Sequence, residues 1–154
     1  MRYNSPQASL GTDDNQSFAI AQVLRMKDDV KIYNIKAFIR KNISGELDMD
    51  KSMQVAKEFA NIAYLHEDHN ILIDTRDSTA TNVKITQLMQ VTLEIANNLP
   101  NFKNKIASVI PDNEDRLRVA RQFQSCMILK GFSYEVFTDF EKALDWLSDT
   151  KVLR

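Results

Sequence analysis

The sequence predicts an α/β domain with a mixed, mostly parallel sheet, a short antiparallel addition and about four helices. From about residue 50 onward, segments with apolar residues at helical spacing alternate with short, continuous apolar runs. This alternation is typical of parallel strands joined by right-handed crossover helices. The length of 154 residues and the hydrophobic content of 44% suit one buried core and exclude a wholly disordered chain.

The N-terminal part has a different pattern from the rest of the chain. Residues 1–16 hold few large apolar side chains, so we expect a mobile tail there. Segments 18–25 and 30–35 flank a polar turn and predict an antiparallel hairpin, and segment 37–43 predicts a further strand. We expect residues 17–154 to form a single domain.

Seven further elements follow in strict alternation, beginning and ending with a helix. The first two predicted helices cover 50–65 and 83–98, and the third lies between Asp112 and Gly131. The fourth carries Phe140, Ala143, Leu144 and Leu147, and the strands cover 70–75, 105–110 and 133–137. Asp112 is the predicted N-cap of the third helix, and Thr138 opens a capping-box pattern before the fourth. Met53, Met89 and Met127 fall on apolar helical stripes, which predicts that they pack in the core.

The composition of the chain argues against several classes of binding partner. The formal net charge is −1, with no cluster of basic residues, so nucleic acid and anionic membrane surfaces are not expected partners. No apolar run approaches the roughly 20 residues of a membrane span, and the polar N-terminus has no signal-peptide core, so a cytoplasmic location is expected. The three glycines never share a loop, which excludes a P-loop and a dinucleotide fingerprint. No cofactor is predicted.

Two groups of residues have side chains suited to catalysis or metal binding. His66 and His69 could offer a metal two imidazoles, but they lie at a predicted helix end without a third ligand, so we expect exposed, solvated side chains and no metal site. Asp74 and Asp77 flank Arg76 after the central strand. Their polar surroundings favour a solvated loop over an acid–base pair, which needs a raised pKa in an apolar pocket. Cys126 is expected to be a small apolar filler.

The C-terminal segment resembles the closing strand and helix of SpoIIAA-like proteins, small bacterial domains of the STAS and SEC14 type. In Tyr134–Leu147 an aromatic residue, an acidic capping segment and the pattern Ala-Leu-x-Trp-Leu follow one another. The resemblance extends over most of residues 30–150, through Ile43–Leu47, Ile71–Asp74 and Ile106–Ile110. It implies a cytoplasmic α/β domain built as a right-handed strand–helix superhelix.

The resemblance also implies a mode of action. SpoIIAA-like domains generally act by protein contact, and some members of the wider group bind small molecules or lipids. Their regulatory serine lies in an Asp-Ser-Ser/Thr-Gly segment after the central strand. This chain has Asn82–Lys84 at that place and lacks the phosphoacceptor. Ser78, Thr79 and Thr81 lie nearby, with helix capping as their alternative role.

The sequence therefore predicts a non-enzymatic binding or regulatory module that acts through protein–protein contact, with a homodimer as one arrangement. A carrier or sensor of a small apolar ligand or lipid is the alternative, and a hydrolytic enzyme is the third reading. The predicted interaction loop lies at the carboxyl edge of the sheet. Its candidate residues are Asp74, Arg76, Asp77, Ser78, Thr79, Thr81 and Asn82. Trp146 is a further candidate, either as a cover for the sheet edge or at a partner interface.

Overall fold

The computed structural model describes residues 30–32, 38–148 and 151–153, which fall into two compact units. The smaller unit contains an antiparallel pair of three-residue strands, β1 (Val30–Ile32) and β6 (Lys151–Leu153). The sequence predicts one domain over residues 17–154 and a hairpin between segments 18–25 and 30–35. Segment 18–25 and the predicted tail 1–16 lie outside the described residues.

The larger unit is a parallel sheet with four helices, which confirms the α/β class. In chain order its elements are β2 (Phe38–Glu46), α1 (Met49–Leu65), β3 (Asn70–Thr79), α2 (Ile85–Asn98), β4 (Lys105–Val109), α3 (Glu114–Leu129), β5 (Ser133–Phe137) and α4 (Phe140–Leu147). The strands lie side by side in the order β2-β3-β4-β5, and all three neighbouring pairs are parallel. One helix connects each strand to the next.

Alternating side chains send the sheet's apolar residues into two separate cores. Ile71 points to the side of the sheet that α1, α2 and α3 cover, which we call the crossover face. The next residue, Leu72, points to the opposite side, which α4 covers and which we call the α4 face. The crossover core is the larger, and its sheet residues are Ile71, Ile106, Tyr134 and Val136. The α4 core contains Leu72, Ala107 and Val109 from the sheet, with Ala143 and Leu147 from the helix.

Helical spacing predicts most of the buried positions correctly. In α1 the stripe Ala56, Phe59, Ala60 and Ala63 is buried, as predicted. Met127 of α3 is also buried, and Met53 is half-buried.

The prediction for Met89 is wrong, because this side chain is 51% exposed. The apolar stripe of α2 is wider than the face that the sheet covers, so Leu88, Thr92 and Ile95 are buried while the flank of the stripe is not.

Two helices begin one residue later than the predicted caps imply. Asn113, and not Asp112, caps α3, since its side chain accepts a hydrogen bond from the backbone N–H of Arg116. Asp139, and not Thr138, caps α4, and its side chain accepts hydrogen bonds from the backbone N–H groups of Glu141 and Lys142. In both cases the capping oxygen belongs to the residue just before the first helical turn. Gly131 has a φ of 89° and ends α3 as predicted.

Candidate functional site

An apolar cavity of about 170 Å³ lies between the crossover face of the sheet and helices α1, α2 and α3. The space exists because several residues that meet there are small, among them Ala56 on α1, Ser108 on β4 and Ala120 on α3. Larger apolar side chains form most of the lining: Ile43, Leu47, Val55, Phe59, Ile73, Val83, Leu88, Val91, Ile95, Ile110, Val119 and Phe123. We call this space the apolar cavity.

Part of the cavity's lining is polar and lies near the carboxyl edge of the sheet. Thr75 and Ser78 of β3 are buried, and both serve the backbone: the Thr75 hydroxyl donates to Val109 O (3.1 Å) and the Ser78 hydroxyl to Thr75 O (2.6 Å). These bonds satisfy the hydroxyl protons and leave their oxygen lone pairs able to accept. Thr75 lines the cavity directly.

Among the described residues, Arg116 is the one charged side chain in the cavity lining. Its Nη1 donates to Ser78 O at 2.7 Å, and its Nη2 lies 3.2 Å from Ser78 Oγ and 3.4 Å from Thr75 Oγ1. All of these acceptors are neutral. Burial of the guanidinium without a carboxylate lowers the pKa of Arg116 from its ordinary value.

Tyr134 places its phenol in the same lining, near Ser108. Burial raises the pKa of Tyr134 to about 12, against the opposing effect of its hydrogen bond with Ser108. The Tyr134 ring also packs edge-on against Phe123 on α3, with ring centres 5.5 Å apart. The phenol therefore stays protonated at neutral pH and fixes one wall of the cavity.

A second polar group occupies the α4 face. Asp74 accepts from Arg76 Nη2 at 2.7 Å and from Arg40 Nη2 at 3.0 Å, and its own side chain is only 9% exposed. Both guanidinium groups lie over the ring of Phe140, at 4.8 Å for Arg40 and 5.2 Å for Arg76. The side-chain hydrogen bonds from Arg76 are the main cause that lowers the pKa of Asp74 to about 2. Asp74 is therefore ionised and unsuited to donate a proton.

The predicted interaction loop is mostly strand. β3 continues to Thr79, so Asp74–Thr79 form its second half, and the expectation that Asp74 is solvated is wrong. Ser78 is buried and faces Arg116, whereas Arg76, Asp77 and Thr79 are exposed. β3 continues to Thr79 because β2 is also longer than predicted and pairs with this part of β3, with Glu46 opposite Thr79.

The residues after β3 form the connection to α2. Thr81 is exposed, and its hydroxyl lies 3.5 Å from Glu46 Oε1. Asn82 is exposed and has a φ of 54°, in the left-handed region that asparagine tolerates better than most residues. Neither residue caps α2. The N-cap of α2 is Lys84, whose backbone N–H donates a hydrogen bond to the Gln87 side chain.

Trp146 lies half-buried at the α4 face. Its ring centre is 5.9 Å from that of Phe137, and Lys105 Nζ lies 5.2 Å from it while donating to Trp146 O at 2.8 Å. These contacts hold the ring against residues of β4 and β5, and a role at a partner interface stays a prediction.

The histidines lie at the end of α1, away from the apolar cavity. His66 is exposed, as predicted, while His69 is half-buried with its Nδ1 2.7 Å from Asp68 Oδ1. Within the described part of the chain, no group of three or more potential metal ligands comes together. Cys126 is half-buried on α3.

Sequence reasoning missed Arg116 and the cavity it borders. One signal was present: Arg116 lies four and seven residues before Ala120 and Phe123, and so falls on the same helical stripe as these cavity-lining residues. A charged residue on an apolar stripe is a candidate for a buried polar role.

Comparison with protein-family models, with curated proteins and with solved structures finds no match. None of the helices in the described ranges is long and apolar enough to cross a membrane.

Proposed function

We propose that this protein binds a small apolar molecule in the apolar cavity, as a carrier or a sensor. The observation that carries the proposal is a space of about 170 Å³ with a mostly apolar lining. An engineered apolar cavity of about 150 Å³ takes up benzene, so a space of this size admits one ring or a short chain. Transfer of such a molecule out of water supplies the binding free energy.

The position of the cavity supports the same proposal. Its lining includes Leu47 after β2, Ala80 and Val83 after β3, and Ile110 after β4. All four lie beyond the carboxyl ends of parallel strands, where open α/β sheets commonly bind their ligands. Connections between elements also open more easily than the strands they join, which gives a ligand a path of entry.

Toluene is a suitable probe because it is apolar, neutral and close to the cavity in size. We expect it to raise the melting temperature of the wild-type protein, with about 1.4 kcal/mol of stabilisation at a tenfold excess over the dissociation constant. Ala120→Leu fills the space and should abolish this effect. Ala96→Leu is the matched control, since Ala96 is half-buried against the same core but does not line the cavity. Equal responses from wild type and Ala120→Leu would contradict the proposal.

Protein contact remains the second candidate function, and one surface favours it. Ile85, Met89 and Leu93 follow one another at four-residue spacing on α2 and are 47%, 51% and 41% exposed. We call them the α2 stripe. Residues 85–93 contain no charged side chain, and depletion of charge is typical of interface centres. A second copy of the chain fits this surface, since a two-fold contact pairs the stripe with itself and a net charge of −1 causes little repulsion.

Sedimentation velocity tests this candidate. We expect the wild-type chain to sediment as a dimer and Met89→Lys as a monomer. Gln90→Lys is the matched control, because Gln90 is exposed on the same helix but lies off the stripe, and it should remain dimeric. A wild-type chain that stays monomeric at high concentration would rule the homodimer out.

The non-enzymatic role belongs to the same proposal. Its support is that the buried carboxylate of Asp74 is held ionised by two arginines, and that the phenol of Tyr134 is held protonated. Neither group titrates near neutral pH, where a general acid or base is most effective. The SpoIIAA-like superhelix and the cytoplasmic location stay predictions.

A further inference from the structure

We propose that the ligand of the apolar cavity is a monoanion, a carboxylate on a small aromatic or short aliphatic body, and that Arg116 binds the carboxylate. This inference rests on the proposed function, because it names the class of molecule that the cavity takes. It is carried by the charge, the geometry and the size of the site.

The charge argument comes from comparing the five arginines in the described part of the chain. Arg40 and Arg76 pair with Asp74, Arg118 lies 3.8 Å from Asp115, and Arg121 lies 3.1 Å from Glu135. Arg116 is the exception: among the described residues, no carboxylate lies within ion-pair distance of it. It is also the arginine that lines the cavity.

An unpaired guanidinium in apolar surroundings has a high electrostatic free energy, because burial removes water that would solvate the charge. Arg116 is half-buried, and its contacts with Ser78 and Thr75 supply only neutral acceptors. A ligand carboxylate would supply the missing negative charge and a charge-assisted hydrogen bond, which is about twice as strong as a neutral one. The site is therefore electrostatically incomplete without an anion.

Hydrogen bonds to β3 hold the Arg116 guanidinium in place and leave some of its N–H groups without an acceptor in the described part of the chain. A guanidinium has five N–H donors, and the bonds of Arg116 to Ser78 and Thr75 use only its two terminal nitrogens. In the described part of the chain no acceptor bonds the Nε–H. Bonds to β3 from the terminal nitrogens fix the plane of the guanidinium beforehand, which reduces the entropy lost when an anion binds.

The volume of the apolar cavity and the charge of its lining define the rest of the ligand. Arg116 is the one charged lining residue in the ranges that the structure describes, so the site balances a single negative charge. The remaining lining is mostly apolar, and about 170 Å³ accommodates a body close to benzene in size. Benzoate combines these features, and benzamide has nearly the same shape without the charge.

Calorimetric titration with benzoate, benzamide and toluene tests the inference on the full chain. We expect wild-type protein to bind benzoate at least tenfold more tightly than benzamide. Arg116→Met should reduce this preference to less than twofold while toluene still binds. Arg118→Met is the matched control, since Arg118 lies on the same helix but is exposed, and it should keep the wild-type preference.

The outcomes separate the two proposals. Toluene binding with equal affinities for benzoate and benzamide would overturn the anion inference and leave the proposed function standing. Failure of all three probes to bind would overturn both. If circular dichroism shows that Arg116→Met does not fold, Arg116→Gln replaces it, because the amide keeps a donor toward Ser78 without the charge. An unchanged benzoate preference in a folded Arg116 variant would also refute the inference.

Discussion

Replacing Asp74 with asparagine tests whether its two arginine partners stabilise the fold through its negative charge. The pKa of Asp74 is lowered from 3.8 to about 2, mainly by side-chain hydrogen bonds from Arg76. One pKa unit corresponds to about 1.4 kcal/mol, so the charged form contributes about 2 kcal/mol to the free energy of unfolding. The carboxylate side chain is only 9% exposed, so water screens its contacts with the two arginines little.

The pH dependence follows from the direction of the shift. A carboxyl group whose pKa is lower in the folded than in the unfolded state stabilises the fold fully above its unfolded value. This contribution is lost as the pH falls from the unfolded value of 3.8 toward the folded value of about 2. The difference in unfolding free energy between wild type and Asp74→Asn should therefore shrink by about 2 kcal/mol between neutral pH and about pH 2, mostly below about pH 4.

Urea unfolding at a series of pH values measures this difference directly. Asp77→Asn is the matched control, because Asp77 is an exposed aspartate three residues further along the same strand. Its effect on stability should be small, because a substitution at an exposed position usually changes the free energy of unfolding by no more than about 0.5 kcal/mol. A stability difference for Asp74→Asn that stays constant from neutral to acid pH would refute the assignment of this stabilisation to the ionised carboxylate.

Three further predictions concern packing, backbone conformation and the buried phenol. Leu72→Ala should lower the free energy of unfolding by about 2–5 kcal/mol in urea titration, because Leu72 is fully buried in the α4 core. A loss below about 1 kcal/mol would contradict this and would mean that neighbouring side chains fill the space left by the leucine. Gly131→Ala should lower it by about 1 kcal/mol through its φ of 89° alone, since an added Cβ meets no atom within 4 Å; an unchanged urea midpoint would contradict this. In an ultraviolet absorbance titration, one tyrosine should ionise near pH 12 and be absent from Tyr134→Phe, whereas an unaltered titration curve would show that Tyr134 is not the shifted group.

The sequence predicts the C-terminal elements best. Strand 133–137 has the predicted bounds, and the helix after it contains Phe140, Ala143, Leu144 and Leu147 as predicted, because strong local signals, including Gly131 before the strand, delimit them. The strand–helix alternation likewise suffices for the parallel sheet, since each connection is long enough to form a crossover.

The site was less predictable because several of its contacts join residues that are distant in the sequence. Asp74 looks solvated beside Thr75 and Arg76, but Arg40, which helps to neutralise it, is 34 residues away. The cavity likewise depends on small residues from α1, β4 and α3 meeting at one place, and spacing within a single segment carries no information about that meeting.

The position of α4 has a consequence for the order in which the chain can fold during synthesis. The crossover core is complete once β5 has been made, but Leu72, Ala107 and Val109 are covered by a helix that follows every strand of the sheet. Asn70 Nδ2 and Lys105 Nζ then hold the end of this helix through Leu147 O and Trp146 O. A nascent chain that stops before α4 presents an apolar sheet surface to water. Docking of α4 therefore completes the fold of this sheet, and the growing chain is most prone to aggregate just before α4 emerges from the ribosome.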